Sequence, residues 1–223
     1  MDYIHKLISA GEHQELDFKF EISDSRKIAR TLVAFANTDG GRLLIGVKDN
    51  GAIAGVRSEE EYYMVEAAAQ MYCKPEVKFS SREWNIDGKL ILEIVVNKSH
   101  GIKHKAPLKA DDYKVFIRVN DKNILADSIL VQFWKRQAEK VPVKIKFSDP
   151  EMVLLRQLSE KQQITIQQFM QLAGISKKLA EKIVIDYALI KLITIVQNDK
   201  ETLVKLLNAS MLENFQSKQR MFV

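Results

Sequence analysis

Apolar residues recur at spacings of three and four through Ile28, Leu32, Phe35 and Ala36, and the run then meets Asn37-Thr38-Asp39-Gly40-Gly41. The pattern predicts a helix capped by Ser23 or Asp24 and stopped by the glycine pair, since glycine takes the left-handed conformation of a helix exit. Arg42 to Val47 reads as a buried strand, and Asp49-Asn50-Gly51 as the turn of a hairpin into Ala52–Val56. Upstream, Tyr3, Ile4, Leu7 and Ile8 share one side of a short helix ended by Gly11. Glu15 to Glu21 then alternates at period two, which turns Leu16, Phe18 and Phe20 inward and gathers Glu15, Asp17, Lys19 and Glu21 on an opposite, charged face.

Beyond the hairpin, Ser58 followed by three glutamates opens a helix that runs to about Tyr72 and ends at Lys74-Pro75. Val77–Trp84 and Lys89–Val96 read as strands joined by the turn Asn85-Ile86-Asp87-Gly88. Tyr113–Val119 is a further strand, and Ile124 to about Glu139 a closing helix with Leu130, Phe133 and Trp134 inward. A mixed sheet with helices packed on it, of the α+β class, accounts for these elements. A second pattern follows a linker at 141–148: Asp149-Pro150 opens helix Glu151–Glu160, then come Ile166–Leu172 and Lys177–Leu189, with Gly174 in the turn and Ser176 as cap. The runs Leu192–Val196 and Thr202–Leu206 around Asn198-Asp199-Lys200 form a hairpin. Three helices and a two-stranded wing make the winged-helix pattern. The expected organisation is therefore a first domain over 1–140, a winged-helix domain over 149–207, and a tail over 208–223 that is a short helix or partly disordered.

Composition narrows the class. The chain is 46% hydrophobic and 28% charged, an ordinary globular balance. The single cysteine, Cys73, suits a reducing compartment and reads as a buried thiol. The start lacks the basic and apolar regions of a signal peptide, and no apolar run has the length of a membrane helix, so a soluble cytoplasmic protein without membrane association is expected. The net charge of +5 is unevenly placed. Residues 142–223 carry 12 basic and 8 acidic groups, and the stretch Lys98–Lys122 carries seven basic against three acidic, with His100 and His104 beside them in a surface loop. Such zones attract polyanions by counterion release, and equally serve as solvated surface.

The words AFANTDGGRLLIGVKDNGAIAGV at 34–56, preceded by GEHQELDFK at 11–19 and followed by FIRVNDKNILAD at 116–127, closely resemble the Schlafen AlbA domain. The resemblance covers roughly residues 8 to 135. It implies a fold used as a DNA-binding module in many bacterial proteins and as the core of the nucleic-acid-cleaving lobe in eukaryotic Schlafens. In the cleaving members, acids beside the first glycine, before Phe-Lys, and two residues after Gly-Val form the active site; the matching positions here are Glu12, Asp17 and Asp49. Under that reading the three carboxylates hold manganese or magnesium, and a homodimer supplies the second lobe. The Gly41 to Gly46 segment lacks the Lys-Ser/Thr of a phosphate-cradling P-loop, so its glycines are read as turn and packing residues.

Under the binding reading no cofactor is needed, and the candidate phosphate contacts are Lys19, Arg42, Lys48, Lys98, Lys103, Lys105, Lys109, Arg118 and Lys122, with Lys177, Lys178 and Lys182 on the third helix of the second domain. That helix offers no Arg, Asn or Gln for bidentate base contacts. The expectation is a nucleic-acid-binding protein, DNA favoured over RNA, acting as a transcriptional regulator. A metal-dependent endoribonuclease and a protein-interaction module are the alternatives.

Overall fold

A computed structural model describes residues 3–140 and 142–210 of the chain. The chain divides between Ala126 and Asp127 into two compact units.

The first unit is built on a four-stranded sheet. Its elements in order are α1 (Tyr3–Ala10), β1 (Leu16–Lys19), α2 (Ser25–Asn37), β2 (Gly41–Ile45), α3 (Glu60–Met71), β3 (Phe79–Ile86), β4 (Lys89–Val96), β5 (Ala106–Lys109), β6 (Asp112–Lys114), β7 (Phe116–Val119) and β8 (Lys122–Leu125). The sheet order is β1-β2-β4-β3, with β5-β6 and β7-β8 as separate two-stranded ladders. β1 runs parallel to β2, as the crossover through α2 requires, and the other pairs are antiparallel. Alternate residues sort to two faces. Leu16, Phe18, Leu44 and Ile91 pack under Ile4 of α1, while Leu43, Ile45, Leu92 and Ile94 pack against α2 and α3.

The sheet is thus covered on both faces, and the charged face of β1 that carries Asp17 and Lys19 packs toward α2. Asp17 lies on the α2 side and is 3% exposed. Three elements differ from the reading of the pattern. The hairpin after β2 shrinks to one bridge, Val47 to Ile53. The expected strand 113–119 is two strands broken at Val115. The expected closing helix begins only at Ser128, because Lys122–Leu125 is strand β8.

The glycine pair explains itself by contact. A Cβ on Gly41 would stand 2.4 Å from the Phe35 ring, and one on Gly40, whose φ is +81°, would stand 2.8 Å from the Val96 carbonyl oxygen. Only glycine lets α2 turn so sharply into β2.

The second unit contains α4 (Ser128–Glu139), α5 (Asp149–Lys161), β9 (Gln163–Thr165), α6 (Ile166–Ala173), α7 (Lys177–Leu189), β10 (Ile193–Gln197) and β11 (Thr202–Leu206). Its sheet order is β10-β11-β9, all antiparallel. Ser176 caps α7 by accepting from the Leu179 N–H, and Gly174 ends α6 in the left-handed conformation. β9 was not legible, since three residues carry no periodicity. Helix α4 belongs here and not to the first unit: Ile129 and Phe133 join the core of Leu154, Leu158, Phe169, Val184 and Tyr187. The boundary at 126 therefore stands where 140 was expected. The tail beyond residue 210 lies outside the described residues. No helix among the described residues is long and apolar enough to cross a membrane.

Candidate functional site

The three carboxylates separate into a pair and a single residue. Glu12 and Asp17 adjoin: Glu12 Oε1 accepts from the Phe18 N–H at 2.8 Å, and burial, then a hydrogen bond with Asp17, pushes the Glu12 pKa up. Asp49 lies elsewhere. Asp17 pairs with Leu43 in the parallel register, so Asp49 is six positions further along the chain, beyond Gly46, and exposed. Cations already occupy the pair, with Lys19 Nζ 3.1 Å from Asp17 Oδ2 and 4.0 Å from Glu12. Arg118 Nη2 stands 3.3 Å from Asp17 Oδ1. Among the described residues no three His, Cys, Asp or Glu side chains are disposed to hold a metal. As disposed, with Lys19 and Arg118 on the pair and Asp49 apart from it, these donors do not fit a divalent cation.

A raised carboxyl pKa favours folding below the ordinary carboxylate range, and that contribution is lost as pH rises through the raised value. Glu12→Gln keeps an acceptor for Phe18 and cannot ionise. Wild type is therefore expected to lose melting temperature relative to Glu12→Gln as pH rises from about 4.5 to 8. Melting curves that run parallel for both proteins over this range would contradict the raised Glu12 pKa.

Arg118, expected at a phosphate, is 2% exposed and cannot reach one. Its guanidinium donates to the carbonyl oxygens of His13 and Leu16 and to Asn123 Oδ1, and stacks 5.2 Å from the Phe35 ring centroid. Asn123 donates to Thr31 in turn. The arginine of the Phe-Ile-Arg-Val word is thus a tie between β7, β1 and α2.

Asn37 does the same for the basic loop. Its amide donates to the His104 and Phe116 carbonyl oxygens at 2.9 Å each, and its oxygen accepts from the His104 N–H at 2.8 Å. His104 is consequently buried and not at the surface. Its Nδ1 donates to the Pro75 carbonyl and its Nε2 accepts from the Ser99 hydroxyl. Lys103 Nζ donates to the Asn37 carbonyl oxygen, and burial, with Lys98 nearby, lowers its pKa. Lys98 is ion-paired with Asp39 at 3.2 Å. Arg42 pairs with the buried Glu93 at 3.3 Å and donates to the Tyr3 hydroxyl.

Eight of the expected phosphate contacts are exposed, the ion-paired Lys98 among them. Lys48 sits with Arg57 on the Phe20 ring, and Lys122 opens β8. In the second unit Lys177 pairs with Glu181 at 3.7 Å, while Lys178 and Lys182 lie on the open side of α7. Lys105 and Lys109 flank β5, and here the structure adds cations that the sequence pattern does not single out. Lys74 pairs with Lys105 in an antiparallel bridge and sets its ammonium 3.8 Å from the Tyr113 ring centroid. Arg30 donates to the Pro107 and Leu108 carbonyl oxygens of β5, and Arg26, one turn earlier, lies 5.8 Å from the Tyr72 ring centroid. Arg26 and Arg30 of α2 and Lys74, Lys105 and Lys109 in or beside β5 are thus carried by elements that pack together. None is ion-paired to a described carboxylate; aromatic rings and backbone oxygens hold the two arginines and Lys74. The signal was present, since Arg26 and Arg30 are four apart on one helix face.

The sequence model of the Schlafen, AlbA_2 family matches residues 12–127. The chain belongs to that family. The matched span ends at the unit boundary, so the first unit is the AlbA_2 unit. The family points to association with nucleic acid. Two solved structures are similar. The DIP2311 protein from Corynebacterium diphtheriae is 13% identical, with 98% of this chain and 52% of that one covered and a TM-score of 0.48. The N-terminal domain of an ATP-dependent DNA helicase RecG-related protein from Nitrosomonas europaea is 20% identical, with 57% of this chain and 97% of that one covered and a TM-score of 0.34. The chain spans about half the length of the Corynebacterium diphtheriae protein. With TM-scores below 0.5 neither likeness bears on the architecture. No curated protein matches the chain.

Proposed function

We propose that the protein binds nucleic acid, duplex DNA in preference to RNA, through cations in and beside α2 and β5 of its AlbA_2 unit, and regulates transcription. One observation carries the reading: Arg26 and Arg30 of α2 and Lys74, Lys105 and Lys109 in or beside β5 lie on elements that pack together, and none of the five is ion-paired with a described carboxylate. Unneutralised cations displace the counterions condensed on a phosphate backbone, and this entropy gain drives binding without reading bases. The family's association with nucleic acid supports the same reading. DNA is favoured because the second unit has the element order of a winged helix, α5-β9-α6-α7-β10-β11, a module that docks on duplexes.

The five contacts of the AlbA_2 unit contribute about −4.5 to the expected salt slope, or about 500-fold weaker binding through that unit between about 50 and 200 mM salt. Fluorescence anisotropy of a labelled duplex measures it. The variant Lys74→Gln/Lys105→Gln/Lys109→Gln, altering three exposed side chains, is expected to flatten that slope by about 3. An unchanged slope in the variant, or no binding by wild type at low salt, would refute the proposal.

A further inference from the structure

The second unit holds a basic cavity that the AlbA_2 family match does not reach. Residues 142–148 run along α7 with alternating character, Ile145 against the core and Lys144 and Lys146 exposed. The Tyr187 hydroxyl donates to the Lys146 carbonyl oxygen at 2.9 Å and fastens this segment to α7. Between them opens a cavity of about 110 Å³ whose wall includes Lys144, Lys146, Ser148, Glu151, Lys182 and Asp186. Both carboxylates are already engaged. Asp186 is ion-paired with Arg136 of α4 at 2.5 Å, and Glu151 accepts from the Ser148 hydroxyl. The three lysines have no carboxylate partner among the described residues. Three lysines and two carboxylates line the cavity, so its wall carries a net positive charge that favours an entering anion. Lys178, one turn before Lys182 on α7, extends the positive row out of the cavity.

We infer that this cavity takes a phosphate group, and that its source is the backbone of the nucleic acid held by the AlbA_2 unit. The inference rests on the proposed function for the source of the phosphate, though not for the cavity itself. It also changes what α7 does. Arg136 of α4 bonds α7 through Asp186, and Ser128 and Gln132 of α4 donate to Glu181. With 142–148 on its other flank, α7 presents lysines to a phosphate row, and it carries no Arg, Asn or Gln to read bases. Contact through this unit is therefore independent of base sequence.

Two arms test it on the full chain, comparing wild type with Lys144→Gln/Lys146→Gln/Lys182→Gln, in which all three altered side chains are exposed. In the first, anisotropy of a labelled duplex is followed from about 50 to 200 mM salt, and the variant is expected to lose two to three phosphate contacts, flattening the slope by about 2 to 3. In the second, inorganic phosphate is titrated while the backbone amide resonances of Ser148 and Tyr187 are followed, and both are expected to shift in wild type and stay still in the variant. A flattened slope identifies the backbone as the source. Shifted resonances with an unchanged slope, or with no duplex binding by wild type, keep the cavity as a site for a free phosphate group and remove the nucleic acid from it. An unchanged slope together with unmoved resonances overturns the inference, whatever the AlbA_2 unit binds.

Discussion

Arg118→Leu is expected to melt the AlbA_2 unit about 10 °C or more below wild type. The guanidinium is 2% exposed and is the buried counter-charge of Asp17, itself 3% exposed. Removing one partner of a buried pair strands the other, at a cost of about 3 to 5 kcal/mol, and the carbonyl oxygens of His13 and Leu16 lose their donor as well. In a unit of this size each kcal/mol moves the midpoint by about 3 to 6 °C. Lys19 stays beside Asp17 and softens the loss without replacing it. Differential scanning calorimetry reads the result. Adding Asp17→Asn to Arg118→Leu is expected to restore part of the stability, because the stranded charge is then gone. A single variant that melts within about 3 °C of wild type would show that the pair contributes little.

Asn37→Asp is the second large effect, although it changes one atom. The amide nitrogen faces two carbonyl oxygens, of His104 and Phe116, and a carboxylate oxygen placed there meets both with its charge. Two buried acceptors lose their donor and a buried anion gains none, which together destabilise by about 3 to 5 kcal/mol at neutral pH. The introduced carboxyl has its folded pKa raised, so the deficit is largest above that pKa and shrinks as pH falls below it. Denaturant midpoints at pH 5 and pH 8 test the sign. A deficit that is equal at both, or larger at pH 5, would mean that the introduced carboxylate finds a donor the structure does not show.

Much of the fold could be read from the chain because its strongest signals are local. Helix α2 and the glycine exit, the Asp87-Gly88 turn, the Gly174 turn after α6 and the Ser176 cap of α7 each depend on a few neighbouring residues, and they stand where the pattern puts them. What the pattern missed depends on distant partners. Alternation in β1 names two faces but cannot say that both are covered, and Asp17 reads as one acid of a charged face until Arg118, 101 residues later, is seen to meet it. His104 reads as a loop residue until Asn37, 67 residues earlier, is found holding its backbone. The candidate interface was half legible for the same reason. Lys105 and Lys109 stood out as part of a basic run, whereas Arg26, Arg30 and Lys74 join them only through α2 packing on β5 and a bridge between strands. Conversely, a formal charge count treats Lys98, Lys103, Arg42 and Arg118 as available, and tertiary contacts occupy all four.

The tie between Asp17 and Arg118 also constrains how the protein is made. A ribosome releases the chain from its first residue onward, so β1 and α2 emerge well before β7, with Asp17 in an apolar surface, Lys19 beside it and its buried counter-charge still untranslated. The AlbA_2 unit is expected to close over that carboxylate only once Phe116–Val119 has left the exit tunnel. Nascent chains halted ahead of that segment should stay protease-sensitive, and those extended past β8 should resist digestion.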